Sequence, residues 1–415
     1  MQKILKAASL AAAKLDCSIY LVGGVVRDLL LRRSVFDFDI VVEGQAIAVV
    51  KVLAKIFKVD FSRHHAFGTA TIIVGGHRID FATARVEHYI YPGALPRVKP
   101  ANLVDDLKRR DFTINAMAIS LNKGDFGRLI DLYDGLSDLK KGLIRILHKE
   151  SFSDDPTRIL RAIRFKERFS FKFESKTGKL LKQAINTKAL SLVNSHRLRD
   201  EIVLILKEPK PYRYIKRIKE LEGFRFLHPK IRLKPADFLF FIRIEKELVT
   251  YRRKFRKLRI NQDWLIYLAG IMLALPLKTI EKVMADFAFK KGERIIITSI
   301  KSKLKEIKKL EKCKKKSLIY KLLCPLSFEA IIFFYAYYPN KNLRKNIDFF
   351  LETLIFTKLK VKGKDLKKLS IKPSKIFGNI FEELLYKKID KGIFSKKEEL
   401  SHVERIYKRL SLKKN

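Results

Sequence analysis

The sequence predicts an α+β head, a small mixed β-sheet with helices, followed by an all-α neck, body and tail. Three observations point that way. Up to about Leu147 helical stretches alternate with short β-branched runs, and from Pro156 onward nearly every apolar pattern has helical spacing. The chain has 415 residues, 47% of them hydrophobic, which is too long for one core and too apolar for a wholly disordered chain.

The first element is the N-terminal stretch "MQKILKAASLAAAKLDCS", read as an amphipathic helix; Lys14 and Asp16 interrupt the apolar run that a signal peptide requires. The sheet is expected from "SIYLVGG", "FDIVVEG", "TATIIVGG", "HRIDFATA", "FTINAMAIS" and "GRLIDLYDG". Helices follow in "PTRILRAIRFKERF", "SKTGKLLKQAINTKALS" and "SHRLRDEIVLILKE". The change of texture between Ile144 and Ser153 sets the first boundary, and the two prolines of "KEPKPYRY" (Lys207 to Tyr214) set a second. The expected divisions are a head over 1–145, a neck over 146–207, and a basic body and tail over 208–415. The run "WLIYLAGIMLALPL" (Trp264 to Leu277) falls short of the ~20 residues that span a bilayer and reads as a buried core helix, so no membrane partner is expected.

The formal net charge is +45, from 89 Lys+Arg against 44 Asp+Glu, far beyond what solubility needs. It points to a polyanionic partner, nucleic acid before an acidic membrane. Residues 1–200 carry 35 basic and 21 acidic side chains, and residues 201–415 carry 54 and 23. The second half is therefore the expected polyanion grip, and the first half the seat of specific chemistry. A run such as "KSKLKEIKKLEKCKKK" could be a solvated helix face, but the accumulation of such runs favours a phosphate backbone. Three widely spaced cysteines (Cys17, Cys313, Cys324) make neither a disulfide framework nor a zinc cluster, and fit a reducing cytoplasm.

In "FDFDIVV" Asp37 and Asp39 stand at i and i+2, on one face of a strand. Two such carboxylates can hold a hard cation such as Mg²⁺ or bridge two, although an isolated Asp-x-Asp is also a common solvated edge. The preceding Gly23 and Gly24 let backbone N–H groups approach a phosphate, and Arg27, one turn into the following helix, can fork onto it. In "RRDFTINAMA", Arg109, Arg110 and Asp111 offer two guanidinium forks and an acceptor, with Asn115 a polar position in an apolar strand; an internal Arg110–Asp111 ion pair is the bland alternative. In "SDDPTRILRAIRF" the Ser, Asp and Pro read as a helix start. Asp155 and Arg158, at i and i+3, also set an acceptor beside a donor, matching the edges of cytosine and adenine and opposing those of uracil and guanine. Arg161 lies one turn further on.

"LVGGVVRDLLL" followed by "FDFDIVVEG" resembles the signature of the DNA polymerase β-type nucleotidyltransferase superfamily. More narrowly it resembles the bacterial-type tRNA nucleotidyltransferase/poly(A) polymerase family, the class II CCA-adding enzymes. "RRDFTINA" reproduces that family's motif letter for letter. "SDDPTR" matches its Glu-Asp-x-x-Arg motif with Asp154 in place of Glu, and "DLYDGLSDLKKGLIR" resembles the segment joining head to neck. "VKGKDLKKLSIKPSKIFGNIFEELL" resembles the Gly-x-Asp-Leu segment of its tail, and "SHRLRDEI" resembles the end of its neck, with His196 where Glu is common. The chain contains no His-Asp dipeptide of the kind that marks the phosphohydrolase domain of some relatives.

The resemblance implies a nucleotidyltransferase head with Asp37 and Asp39 as metal ligands, Asp80 of "HRIDFATAR" as third catalytic carboxylate, and Mg²⁺ as cofactor. Gly23, Gly24, Arg27, Arg109, Arg110, Asp111 and Asn115 would bind triphosphate and ribose, Asp155 and Arg158 would read the base, and Arg161 would reach a phosphate. The implied activity is template-independent extension of the tRNA 3′ end with CCA from CTP and ATP, with no stable protein partner. Addition of A alone beside a separate CC-adding enzyme is the first alternative. A poly(A) polymerase and a non-catalytic RNA-binding protein are lesser ones. The interval Arg85 to Asp106, "RVEHYIYPGALPRVKPANLVDD", supplies the loop that CC-only relatives tend to lack.

Overall fold

Short runs of β-branched and aromatic residues in the first 150 residues form one mixed sheet, as alternation of buried and exposed positions requires. The computed structural model describes residues 1–35, 37–392 and 395–412. In chain order the head comprises α1 (Gln2–Ala13), β1 (Ser18–Val22), α2 (Gly24–Leu30), β2 (Asp37–Glu43), α3 (Ala46–Phe57), β3 (Phe61–His64), β4 (Thr69–Val74), β5 (His77–Thr83), β6 (Arg85–His88), β7 (Arg97–Pro100), α4 (Leu103–Lys108), β8 (Met117–Ser120), β9 (Leu129–Asp131) and α5 (Gly135–Lys141). Seven strands make the sheet in the order β3-β4-β5-β2-β1-β8-β9, in which only β2 and β5 run parallel. β6 and β7 form a separate hairpin within the interval expected as a loop.

The sheet separates two apolar layers. Helices α1 and α3 pack on one face, burying Val49, Val50 and Leu53. On the other face Val22, Val41 and Ala118 meet Leu103 and Leu107 of α4. Burial of such side chains contributes about 1.5–3 kcal/mol each before entropy is counted, which makes this sandwich the frame that fixes the strand ends.

The sheet-to-helix change is not abrupt. β10 (Leu143–Ile144) pairs in parallel with β11 (Lys172–Phe173), so one short strand lies beyond Pro156, where the sequence pattern shows helix. Around it stand α6 (Ser151–Asp154), α7 (Thr157–Phe169), α8 (Ser175–Asn186) and α9 (Ser195–Leu206). Residues 1–209 and 213–229 form one compact unit, and residues 210–212 and 230–415 a second.

The second unit contains helices and no strand among its described residues. Phe240 and Phe241 of the helix Pro235–Lys254 pack with Phe333 and Tyr267 in an aromatic core. The stretch from Trp264 does form a buried helix, Trp264–Met272. Among the described residues no single helix is long and apolar enough to cross a membrane. Near the C-terminus Val361, Leu366, Ile380, Leu384, Val403 and Ile406 make a separate core. Fully buried Glu399 anchors it, accepting from the Lys360 and Val361 N–H groups and from Lys388 Nζ at 2.6 Å. In the Gly363-Lys-Asp-Leu366 segment, Asp365 accepts the Lys362 N–H at 2.8 Å and pairs with Lys396 at 2.8 Å, so its aspartate fixes a helix start.

Candidate functional site

The register of β2 and β5 places Asp39 directly beside Asp80, and Asp37 beside Arg78. Asp37, Asp39 and Asp80 thus stand on two adjacent strands although 41 residues separate Asp39 from Asp80. Asp39 sits above the ordinary carboxylate range: loss of water raises it, Arg110 offsets part of that, and Asp80 and Asp37 add repulsion. Both oxygens of Asp80 are occupied, by Arg78 Nε at 2.9 Å and Nη2 at 3.1 Å, and Thr71 Oγ1 donates to the same group. An all-oxygen donor set held against mutual repulsion suits a hard divalent cation. No group of three ligating side chains is drawn together in a metal-holding arrangement among the described residues.

Beside Asp39 opens a cavity of about 650 Å³, the size of a small-ligand site. Eight arginines and six carboxylates contribute to its lining, and among the lining residues are Gly23, Gly24, Arg27, Arg109, Arg110, Asp111, Asn115, Asp155, Arg158 and Arg161. Every nucleotide-site residue expected from the sequence therefore reaches one cavity. Of the three carboxylates expected to serve the metal, Asp39 lines it, whereas Asp37 and Asp80 lie outside its lining.

Gly23 shows why glycine ends β1. Its φ is +76°, and a Cβ there would lie 2.7 Å from Arg110 Nη1. Arg27 is buried: its Nη1 donates to Asn115 Oδ1 at 2.6 Å, its other nitrogens grip Asp28, and its guanidinium lies over the rings of Phe165 and Phe169. Asp106, fully buried, holds both arginines of the RRD string, Arg109 Nη2 at 2.6 Å and Arg110 Nη2 at 2.8 Å. Burial alone would raise its carboxyl, but Arg110 and Arg109 outweigh that and hold it below the ordinary range. Glu87 takes the other end of Arg109 at 2.8 Å. Arg110 Nε is buried without a hydrogen-bond partner, an orphan donor beside the cavity that an anionic ligand would satisfy.

Asp111 does not pair with Arg110. Its Oδ2 accepts from Arg161 Nε at 2.8 Å and Nη2 at 2.6 Å, and its Oδ1 from the Phe112 N–H and Asn115 Nδ2. Burial pushes Asp111 up, but Arg161, Asn115 and Arg158 prevail and hold it at about 2. Arg161 also reaches Glu201 at 3.1 Å. Asn115 departs from expectation. Thr113–Asn115 is a single 3₁₀ turn and β8 starts only at Met117, because the Asp111 side chain ties Phe112 and Asn115 into a local turn that competes with the sheet.

The pair expected at i and i+3 of one helix is also built differently. Asp155 is extended (φ −132°, ψ 91°) between α6 and α7, and only Arg158 is helical. The residue before a proline is driven out of helical geometry, and Pro156 follows. Asp155 Oδ1 accepts from Thr157 N–H and Oγ1 and pairs with Arg197, and Arg158 is fixed by Ser151 Oγ at 2.6 Å and the Arg109 carbonyl at 2.8 Å. His196 is exposed and lies outside the cavity lining; its neighbour Arg197 belongs to it. Asp106, Glu87, Arg197 and Glu201 escape the sequence reading. Asp106 stands three and four residues before Arg109 and Arg110, a helical spacing that marks it as their partner. The others depend on tertiary contacts.

A family model for the poly(A) polymerase head domain matches residues 19–145. An A-adding tRNA nucleotidyltransferase of Aquifex aeolicus is 40% identical over 374 residues, covering 88% of this chain and 44% of that protein. Another of Geobacter sulfurreducens is 31% identical over 402 residues, covering 93% and 45%. The chain thus spans less than half the length of these relatives. Among solved structures, a CCA-adding enzyme in its second apo form gives a TM-score of 0.79 at 33% identity over 99% of this chain and 96% of that one. The Thermotoga maritima CCA-adding enzyme complexed with tRNA gives 0.73 at 32% identity over 97% and 94%. A matching head, likeness along nearly the whole of those solved chains and a cavity assembled from the shared motifs agree: the chain belongs to the tRNA nucleotidyltransferase/poly(A) polymerase family.

Proposed function

We propose that this chain transfers a nucleotide from a nucleoside triphosphate to the 3′ end of tRNA, and that the nucleotide is the terminal A. The observation that carries transfer is the single cavity joining Asp39, the Arg109–Arg110 pair and the Asp155–Arg158 pair. The restriction to A is supported by the A-adding relatives matched over 88% and 93% of the chain. Complete CCA addition from CTP and ATP is the second reading. It is favoured by the CCA-adding structure matched over 99% of the chain and by an acceptor–donor pair that suits both C and A.

The division of labour follows the chain. The head, 1–145, supplies the carboxylates and the triphosphate cradle, the neck, 146–207, reads the base, and the basic remainder, 208–415, holds RNA through its phosphates, in a reducing cytoplasm. Arg109 and Arg110, held by Asp106, neutralise the triphosphate; Gly23 and Gly24 admit it close to the backbone; Asp111 and Asn115 face the ribose. Arg158 and Asp155 meet the base with a donor and an acceptor, and Arg161 adds positive charge between them and Asp111. Asp37, Asp39 and Asp80 would hold a divalent cation such as Mg²⁺, which when bound lowers the pKa of the attacking hydroxyl and stabilises the leaving pyrophosphate.

The test is incubation with Mg²⁺ and tRNA transcripts ending at the discriminator base, at C and at CC, each with CTP, ATP or both, resolved at single-nucleotide length. A single A gained only by the CC-ended transcript supports A addition. Completion of all three supports CCA addition, and extension of none contradicts both readings.

A further inference from the structure

The motif "SHRLRDEI" contains an arginine that the sequence reading passes over. Arg197 on α9 forms an ion pair from Nη2 to Asp155 Oδ1 at 2.7 Å, and donates from Nη1 to the carbonyls of Gly93 and Ala94 at 3.3 and 3.4 Å. Those carbonyls belong to a tight turn between β6 and β7, closed by the Ala94 N–H on the Tyr91 carbonyl at 3.1 Å. Gly93 allows the turn to seat there. Its φ is +79°, its N–H donates to the Asp154 carbonyl at 3.3 Å, and a Cβ would lie 2.9 Å from the Leu192 carbonyl oxygen. One guanidinium is thus fixed by two carbonyls on one side and fixes a carboxylate on the other.

The two hydrogen bonds from Thr157 and the ion pair with Arg197 all fall on Oδ1, and no contact to Oδ2 is found among the described residues. A carboxylate clamped through one oxygen cannot swivel, so its other oxygen is held toward the cavity side as an acceptor. An acceptor oxygen rewards the exocyclic amino group of A or C and opposes the carbonyl of G or U; a rotated carboxyl would lose that contrast.

We propose that Arg197 is a positioning residue for base selection, acting through Asp155. This rests on Asp155 being the acceptor for the base. The readout is the kcat/KM for ATP against GTP on a CC-ended transcript, with kcat and KM resolved separately and folding checked by thermal melt. Arg197→Met is expected to lower the ATP preference at least about tenfold, chiefly through KM, with kcat at saturating ATP changed less than about threefold. Arg197→Lys is expected to restore part of the preference. Gly93→Ala, which reaches the same guanidinium from the turn, should move it in the same direction and tests the relay even if Arg197→Met does not fold.

Unchanged preference in both Arg197→Met and Gly93→Ala would overturn the proposal, as would a loss confined to kcat. Asp155→Asn separates the two levels. If it also leaves preference intact, the base-reading assignment itself fails; if it alters preference while the other two do not, only the role of Arg197 fails.

Discussion

Asp39 and Asp80 are register partners on the only parallel strand pair of the seven-stranded sheet. Register pairing points both side chains to the same face of the sheet, so two carboxylates distant in sequence lie side by side. Asp80→Ala is therefore expected to lower nucleotide transfer at least about 10²-fold. The melting temperature should move little, because the Arg78–Asp80 pair is substantially exposed and such pairs contribute about 0–1 kcal/mol. Single-turnover transfer assays and thermal melts check the two parts.

Asp106→Ala removes the carboxylate from Arg110 and leaves Arg109 with Glu87 alone, beside a buried void. Breaking a buried pair costs about 3–5 kcal/mol, and the two forks lose the orientation that a triphosphate needs. The expected result is a lower melting temperature together with a KM for ATP raised about tenfold or more. Asp106→Asn, which keeps the shape and one acceptor, should be milder in both.

Gly23→Ala forces a side chain into a φ of +76° and against Arg110 Nη1. The expected cost is about 1–3 kcal/mol of stability and weaker ATP binding, measured by denaturant unfolding and by titration with ATP.

Glu222 is a buried carboxyl whose Oε2 has no hydrogen-bond partner. Desolvation raises it to about 7 from the ordinary 4.5, with Arg225 offsetting only part. The folded chain keeps this proton up to about pH 7, whereas the unfolded chain releases it from about pH 4.5, so Glu222 erodes stability as pH rises through that window. Glu222→Gln is expected to raise the melting temperature at pH 8 and to leave it nearly unchanged at pH 4.5. The same gain at both values would contradict the assignment.

Much of the site was legible because its chemistry lies in short-range spacing. Asp37 and Asp39 follow the two-residue period of a strand, and Gly23-Gly24 with Arg27 follows a strand-to-helix turn. Local reading failed where a side chain overrode propensity. Thr113 and Ile114 favour a strand by type, yet Asp111 captures them in a turn. The spacing of Asp155 to Arg158 suggests one helix, although Pro156 directly after Asp155 is the local signal against that. Arg197 was out of reach for a different reason: its partners lie 42 residues away at Asp155 and about 100 away at Gly93 and Ala94, and only the packing of the β6–β7 turn against α9 joins them.

The most direct measurement is transfer from α-labelled ATP to a CC-ended tRNA transcript by the chain and by its Asp39→Ala variant, with RNA binding followed alongside by anisotropy. The expected result is one A added by the chain, transfer lost by at least about 10³-fold in the variant, and RNA affinity unchanged within about twofold. Transfer retained by Asp39→Ala, or none by the parent chain while it binds the transcript, would contradict a nucleotidyl-transfer site at β2.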